Sequence, residues 1–245
     1  MKFKAKSGAD LVCATLQKAG VECVFGLPGT QNVALYQALR TSALRTITAT
    51  SELSAAMMAN GYFRASGRVG VLITIPGPGF TWAMAGLAEA ALDSAALVHI
   101  TGQPAVAPGR RFQLQALDQE SIVRPLVKAV HNVDRVADLE VVLGAAIAQS
   151  FAEEPGPVVV QLARSVLQEK PVATAAPDSP PAERPQDMRN VGSAIRALAA
   201  ARRCVILAGP GASGAPRLVT QLADFLAAAV VTPTARDGVL AEAHR

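Results

Sequence analysis

A single carboxylate, Glu52, stands at the start of a segment that otherwise has the apolar spacing of a helix. The segment is "TATSELSAAMMANGYFRASGRVGV", residues 48–71, and no basic residue follows Glu52 within ten positions. Burial raises the pKa of a carboxyl group and a helix N-terminus lowers it, so both effects act on a first-turn glutamate of an apolar helix. Taken alone, the position is explained by an acid that complements the helix dipole behind an N-cap at Thr50 or Ser51.

Three glycine-containing turns follow other predicted strands. They are "FGLPGTQ" (25–31), "TIPGPGFTW" (74–82) and "ITGQPAVAPGRRFQLQALDQ" (100–119). Each alone is compatible with an ordinary turn between a strand and a helix. Ligands of open α/β sheets bind at the carboxyl ends of the strands, and glycine lets the backbone approach a ligand closely. Together with the Glu52 segment, these turns predict a ligand site at one edge of a sheet.

The elements that must position these residues alternate along the chain. Alternation of short apolar runs with helical patterns predicts an α/β domain over residues 1–167, with a doubly wound, mostly parallel sheet covered on both faces. The predicted strands are 21–25, 45–49, 69–75, 96–101, 125–130 and 157–162. The predicted helices lie near 7–19, 31–41, 51–65, 79–91 and 136–152.

A second pattern follows a Pro/Ala-rich segment, 168–187, which we interpret as a linker. Residues 188–245 contain one β-α-β unit and a leading helix, which predicts an incomplete Rossmann-like domain. "GPGASG" (209–214), with Asp237 after it, fits the dinucleotide-binding pattern, although Pro210 weakens the match. A fragment of a nucleotide-binding oxidoreductase is therefore one alternative interpretation.

Composition excludes several classes of function. The net charge is +4, but the basic residues are scattered without interleaved aromatics, so we expect no nucleic-acid partner. The three cysteines have no metal-ligand spacing, which predicts reduced thiols, no metal ligands and a cytoplasmic location. No apolar run reaches membrane-spanning length, so no membrane partner is expected. His99 lies in an apolar strand and is predicted to be a core residue.

Several runs resemble one family. They are "SELSAAMMANGYFRASGRVGV", "PGPGFTWAMAGLAEAALDSAALVHITGQ" and "LQALDQESIVRPLVK". In this order and spacing, residues 7–165 resemble the N-terminal pyrimidine-binding domain of thiamine-diphosphate enzymes of the acetolactate synthase group. Residues 188–245 resemble, more weakly, the first part of the middle domain of that family.

The resemblance implies a cofactor and a reaction class. It implies that Glu52 hydrogen-bonds a ring nitrogen of the aminopyrimidine, favouring the imino tautomer that removes the thiazolium C2 proton, and that the enzyme acts on 2-oxo acids. It implies that Gln115 faces the reaction centre. The cofactor-binding positions implied by the same matches are Pro28, Gly29, Glu52, Gly77, Pro78 and Gly79.

The chain also departs from the family pattern. Ser51 replaces the usual histidine, and Thr81-Trp82 replaces Thr-Asn. The Gly-Asp-Gly motif and later Asn that bind diphosphate and Mg²⁺ are missing, so we expect these ligands to come from a partner chain or from a C-terminal part, within a homo- or hetero-oligomer. FAD in the middle domain is disfavoured. A non-catalytic subunit or interaction module with the same fold is the other alternative.

Overall fold

The computed structural model describes residues 5–103, 113–171 and 189–233, and the chain divides into two compact units, Met1–Pro180 and Pro181–Arg245. The division lies inside the segment 168–187. Most of that proposed linker, and Asp237 of the proposed nucleotide pattern, lie outside the described residues.

The first unit is built on a six-stranded sheet in which every pairing is parallel, with the order β2-β1-β3-β4-β6-β5. The predicted α/β fold with a parallel sheet is thereby confirmed. The strands are β1 Cys23–Gly26, β2 Arg45–Thr48, β3 Gly70–Thr74, β4 Leu97–Gln103, β5 Ala129–Val133 and β6 Pro157–Ala163. The helices are α1 Gly8–Lys18, α2 Val33–Thr41, α3 Glu52–Ser66, α4 Pro78–Leu92, α5 Gln119–Val123, α6 Val136–Phe151 and α7 Arg164–Gln168.

Helices cover both faces of this sheet. Successive residues of a strand point to opposite faces, so each strand contributes side chains to two cores. Val71 and Ile73 of β3 join the core formed with α1, α2, α6 and α7. Leu72, between them, joins the core formed with α3 and α4. The inner strands β1, β3, β4 and β6 are buried along most of their length for this reason, whereas the edge strand β2 is partly exposed. The carboxyl ends of these parallel strands lie at one edge of the sheet.

One predicted strand is displaced. The strand expected at 125–130 is instead a 3₁₀ helix, Arg124–Leu126, followed by β5 at Ala129–Val133. Pro125 explains the shift, since proline donates no hydrogen bond to a sheet and its fixed φ suits the first turn of a helix.

The predicted helix that begins near Glu52 is present as α3, and it is buried on one face only. Ala55, Ala56 and Ala59 of α3 are fully buried, and a Cβ added to Gly86 of α4 would lie 2.4 Å from the Ala56 Cβ. Small residues thus let α3 and α4 pack closely. Met57 and Met58 lie on the exposed side of α3.

The second unit contains α8 Val191–Ala200, β7 Val205–Leu207, α9 Pro216–Leu226 and β8 Ala229–Val231, and its two strands pair in parallel. Within the "GPGASG" run, Pro210–Gly214 form a 3₁₀ helix, and α9 begins at Pro216 behind its N-cap Ala215. Large apolar side chains of β7 and α9 are exposed, including Leu207 and Phe225. In the described ranges, we find no helix with the length and apolar character needed to cross a membrane.

Candidate functional site

Glu52 is the first residue of α3 and its carboxylate points to the turn that precedes α4. Ser51 caps the helix, because its Oγ accepts the N–H of Ser54 at 3.2 Å. Glu52 is therefore not needed as the cap. A Cβ added to Gly79 would lie 2.9 Å from Glu52 Oε1, so the carboxylate rests against a backbone surface that only glycine leaves open. The half-buried Glu52 has no hydrogen-bond or ion-pair partner among the described side chains.

The turn after β1 is held by a buried amide. Asn32 Oδ1 accepts the N–H of Gly29 at 2.7 Å, and Asn32 Nδ2 donates to the carbonyl of Leu27 at 3.1 Å. A Cβ added to Gly29 would lie 2.5 Å from Ile75 Cγ2, and one added to Gly79 would lie 2.6 Å from Ile75 Cγ1. The Ile75 side chain therefore separates the two glycine turns and contacts both.

The turn after β3 brings in the loop that carries Gln115. Gly77 has a φ of +66°, and its N–H donates to Gln119 Oε1 at 2.9 Å. A Cβ added to Gly77 would lie 3.0 Å from the Cα of Gln115, so the two backbones touch. Gln115 also has a positive φ, +63°, and its Oε1 is buried without a hydrogen-bond partner in the described part of the chain.

The predicted site residues therefore converge from four strand ends. Ile75 lies against Gly29 and Gly79, Glu52 also lies against Gly79, and Gly77 lies against Gln115. Pro28 and Pro78 lie at the exposed rim of the same turns. Parallel strands end at one edge of the sheet, which is why turns that are far apart in the sequence meet here.

Two further titratable groups adjoin the site. The Tyr36 hydroxyl lies beside Gly26, since a Cβ added to Gly26 would lie 2.7 Å from its oxygen. Burial raises the Tyr36 pKa, and the negative charge of Glu52 raises it further. His99 is fully buried in β4, where burial lowers its pKa to about 3 and keeps the ring neutral.

The His99 ring is stacked on Phe80 with centroids 5.2 Å apart, and its Nε2 is hydrogen-bonded to Thr74 Oγ1 at 2.8 Å. The predicted core position of His99 is confirmed. Its Nδ1, however, has no partner among the described residues. His99 thus lies directly under the N-terminal turn of α4 without reaching the site itself.

Asn32, Tyr36 and Gln119 were not identified from the sequence. Asn32 had a usable signal, because an Asn three residues after a turn glycine commonly accepts a backbone N–H. Tyr36 and Gln119 had none, since their contacts join residues from different elements. The contact between Gly77 and Gln119 spans 42 positions of sequence.

The arrangement offers acceptors to a ligand, and glycine surfaces against which a flat ring could lie. Glu52 and the orphaned Gln115 Oε1 can each accept a hydrogen bond from a nitrogen donor. Across residues 5–103, 113–171 and 189–233, no three His, Cys, Asp or Glu side chains are grouped so that they could hold a metal ion. These acceptors fit the hydrogen-bond donors at the polar edge of an aminopyrimidine ring, whereas a metal-bound diphosphate would need ligands of another kind.

Comparison with known proteins agrees with this chemistry. Residues 6–122 match the family model described as "Thiamine pyrophosphate enzyme, N-terminal TPP binding domain". The chain is 33% identical to the acetolactate synthase isozyme 3 large subunit of Escherichia coli (strain K12), over 98% of this chain and 43% of that protein. It is 32% identical to acetolactate synthase 3, chloroplastic, of Brassica napus, over 84% of this chain and 33% of that protein.

A third relative is the acetolactate synthase large subunit of Buchnera aphidicola subsp. Schizaphis graminum (strain Sg), 36% identical over 66% of this chain and 28% of that protein. The chain thus spans less than half the length of these curated relatives. The family match covers strands β1 to β4, the glycine turns and the Glu52 helix described above. The chain belongs, through this N-terminal domain, to the thiamine pyrophosphate enzyme family and to its acetolactate synthase-like group.

Proposed function

We propose that this chain supplies the pyrimidine-binding half of a thiamine-diphosphate site in an enzyme that acts on 2-oxo acids by acetolactate synthase-like carboligation or decarboxylation. The observation that supports this proposal is the position of the Glu52 carboxylate. It lies against Gly79 and has no hydrogen-bond or ion-pair partner among the described side chains. An acid that is half-buried and unpaired costs stability unless a ligand completes its hydrogen bonding. The family match names a ligand with a suitable ring nitrogen.

Each residue of the site has a defined task in this proposal. Glu52 shares a proton with the ring nitrogen, while Gly79 leaves the space that the ring needs. Gln115 Oε1 accepts a hydrogen bond beside the reacting carbon, which would satisfy its buried oxygen. Pro28 and Gly29 border the ring on the opposite turn. When bound, thiamine diphosphate would supply the electron sink that stabilises negative charge formed next to the carbonyl of the substrate.

A partner surface adjoins this site. Leu53, Met57 and Met58 of α3 and Trp82 of α4 are between 38% and 63% exposed, and they follow closely after Glu52 and Gly79 in their helices. We infer that a diphosphate-binding domain covers this apolar surface and brings the Mg²⁺ ligands, either from the same polypeptide or from a partner subunit. Exposed clusters of large apolar side chains commonly mark such interfaces. A cytoplasmic location and an oligomeric state belong to the same proposal.

A non-catalytic role for the same fold is the competing proposal. Ser51 uses its hydroxyl to cap α3 and has no acid-base function near neutral pH, and Trp82 is far bulkier than the asparagine implied by the resemblance. Either change is compatible with a subunit that kept the interface and lost the reaction.

Exchange of the thiazolium C2 proton separates the two proposals. The chain alone should bind thiamine diphosphate weakly in a calorimetric titration with Mg²⁺, because the described residues offer no metal-ligand cluster. Once the chain is completed by a diphosphate-binding domain, bound cofactor should lose its C2 proton to D₂O much faster than free cofactor. Tight binding without faster exchange would refute the catalytic proposal and support the non-catalytic one.

A further inference from the structure

The side chain of Gln119 connects three strand ends beneath the site. It is 1% exposed and begins α5. Its Oε1 accepts the N–H of Gly77 at 2.9 Å. Its Nε2 donates to the carbonyl of Gly102 at 3.1 Å and to Gln161 Oε1 at 2.5 Å. Every polar atom of this amide is therefore used, and the partners lie after β3, in β4 and in β6.

The chemistry of the partners requires an amide at this position. A backbone N–H only donates and a backbone carbonyl only accepts, so the oxygen of Gln119 must face Gly77 and its nitrogen must face Gly102. A glutamate would place negative charge against the carbonyl of Gly102 and Oε1 of Gln161. A methionine of similar size would leave a buried N–H and a buried carbonyl without partners, which costs stability.

A series of side-chain hydrogen bonds continues from Gln119 to the protein surface, and its donors all point in the same direction. Gln161 Nε2 donates to Asn132 Oδ1 at 3.0 Å, and Asn132 Nδ2 donates to Glu120 Oε2 at 3.3 Å. The other carboxylate oxygen of Glu120 accepts from Arg124. In this series of hydrogen bonds, the side-chain amides of Gln119, Gln161 and Asn132 each donate to the next residue toward the Glu120 carboxylate. Each bond therefore polarises the next in the same direction.

At its buried end, this series of hydrogen bonds holds the Gly77 backbone, where a small displacement would change the contacts between the site residues. Gly77 has a positive φ and touches the Cα of Gln115, and two residues later Gly79 touches Glu52 Oε1. The N–H of Gly77 is buried at this point, and Gln119 is its partner. A shift of the turn would therefore move the Gly79 surface relative to Glu52 and the Gly77 surface relative to Gln115.

We propose that Gln119 is a positioning residue, which holds the Gly77–Gly79 turn and so sets the separation between Glu52 and Gln115. The structural part of this inference needs no ligand. Its consequence for catalysis rests on the proposed thiamine-diphosphate function. Gln119 itself would touch neither the cofactor nor the substrate.

Amide hydrogen exchange of Gly77 tests the structural part in the cofactor-free chain. In the Gln119→Met variant, the protection factor of the Gly77 N–H should fall about tenfold in an NMR experiment at constant pH, since a net hydrogen bond is lost. Asn60→Leu is the matched control, because it removes another buried amide of the same unit, whose Nδ2 donates to Asp93. In this control the protection of Gly77 should not change.

Gln161→Met provides a second test should Gln119→Met fail to fold. It removes one acceptor of the Gln119 amide and leaves the bonds to Gly77 and Gly102 in place. The protection factor of Gly77 should then fall roughly twofold to threefold, as expected for a weakened rather than a lost bond. Unchanged Gly77 protection in the folded variants would overturn the inference.

The catalytic part is tested with the chain completed by a diphosphate-binding domain. At saturating thiamine diphosphate, Gln119→Met should slow C2 proton exchange about tenfold while changing the Kd less, and Asn60→Leu should change neither. The positioning role is overturned by the following combination: Gln119→Met lowers the protection factor of the Gly77 N–H but leaves C2 proton exchange unchanged, while Glu52→Gln slows C2 proton exchange. If Glu52→Gln leaves exchange unchanged, the proposed function fails, while the loosening of Gly77 still supports the structural role of Gln119.

Discussion

Two carboxylates of the α3–α4 helix pair have opposite surroundings. Asp93, the C-cap residue that follows α4, accepts hydrogen bonds from Asn60 Nδ2 at 2.9 Å and Arg64 Nη1 at 3.2 Å. Glu52, at the start of α3, accepts none from the described side chains and rests against Gly79. Both acids are partly removed from water, yet only Asp93 accepts hydrogen bonds from described side chains.

The difference separates an acid that stabilises the fold from one that is available to a ligand. A paired carboxylate recovers much of what it loses in hydration, whereas an unpaired one does not. The Glu52 carboxylate therefore keeps hydrogen-bonding capacity that a bound donor can use. The predictions that follow test this contrast, beginning with the largest expected effect.

Replacing Glu52 by Gln should slow C2 proton exchange by about 10²–10⁴, because an amide cannot share a proton with the ring nitrogen. The melting temperature should change little, since Ser51 already caps α3. Exchange is measured in the chain completed by a diphosphate-binding domain, and melting in the chain alone. A lower melting temperature with normal exchange would make Glu52 a structural residue like Asp93.

In the chain completed by a diphosphate-binding domain, calorimetric titration should show that Gly79→Ala weakens thiamine-diphosphate binding roughly tenfold to hundredfold, because overpacking of this order costs about 1–3 kcal/mol and displaces Glu52. The added Cβ would lie 2.9 Å from Glu52 Oε1 and 2.6 Å from Ile75 Cγ1. Gly144→Ala in α6 is the control, since a Cβ there meets nothing within 4 Å. The control should bind normally and gain stability, and equal behaviour of the two variants would contradict the contact with Glu52.

His99 offers a third situation, a buried group that stays neutral. Its folded pKa of about 3 lies below the ordinary value of 6.5. Protons therefore favour the unfolded chain, and stability should fall as pH drops from about 6.5 toward 3, by at most about 1.4 kcal/mol per pH unit. Urea unfolding of the wild type and His99→Gln at several pH values measures this slope. Parallel curves for the two proteins would contradict the buried, neutral ring.

Replacing Asp93 by Asn should have the smallest effect of the series. The ion pair with Arg64 is lost, but an acceptor for Asn60 remains, so unfolding free energy should fall by about 0.5–1.5 kcal/mol. C2 proton exchange in the completed enzyme should be unchanged. Slower exchange in this variant at full cofactor saturation would remove the distinction between the two carboxylates.

Much of the architecture was accessible from local sequence pattern. The alternation of apolar strands and helices predicted the parallel α/β sheet, and the glycine turns predicted the edge where Gly29, Gly77 and Gly79 meet. The helix start at Glu52 was also expected, with Ser51 as one of two candidate caps. These features follow from side-chain spacing and turn chemistry within a few residues of one another.

Other features depended on contacts between distant segments. Periodicity could not show that one apolar face of α3, with Met57 and Met58, stays exposed, because an apolar stripe has the same spacing whether the protein itself or a partner covers it. The misplaced start of β5, by contrast, had a local cause, because Pro125 cannot donate a hydrogen bond within a sheet and its fixed φ suits the 3₁₀ helix found there.

The sequence by itself determined the type of fold, the helix that begins with Glu52 and the glycines that let backbones approach one another. Only the tertiary structure decided that Gln119 would bond Gly77 and that Gln115 Oε1 would be left without a partner in the described residues. The physical reason is that a hydrogen bond between distant segments depends on the relative placement of whole strands. That placement comes from packing both cores of the sheet, which no local pattern encodes.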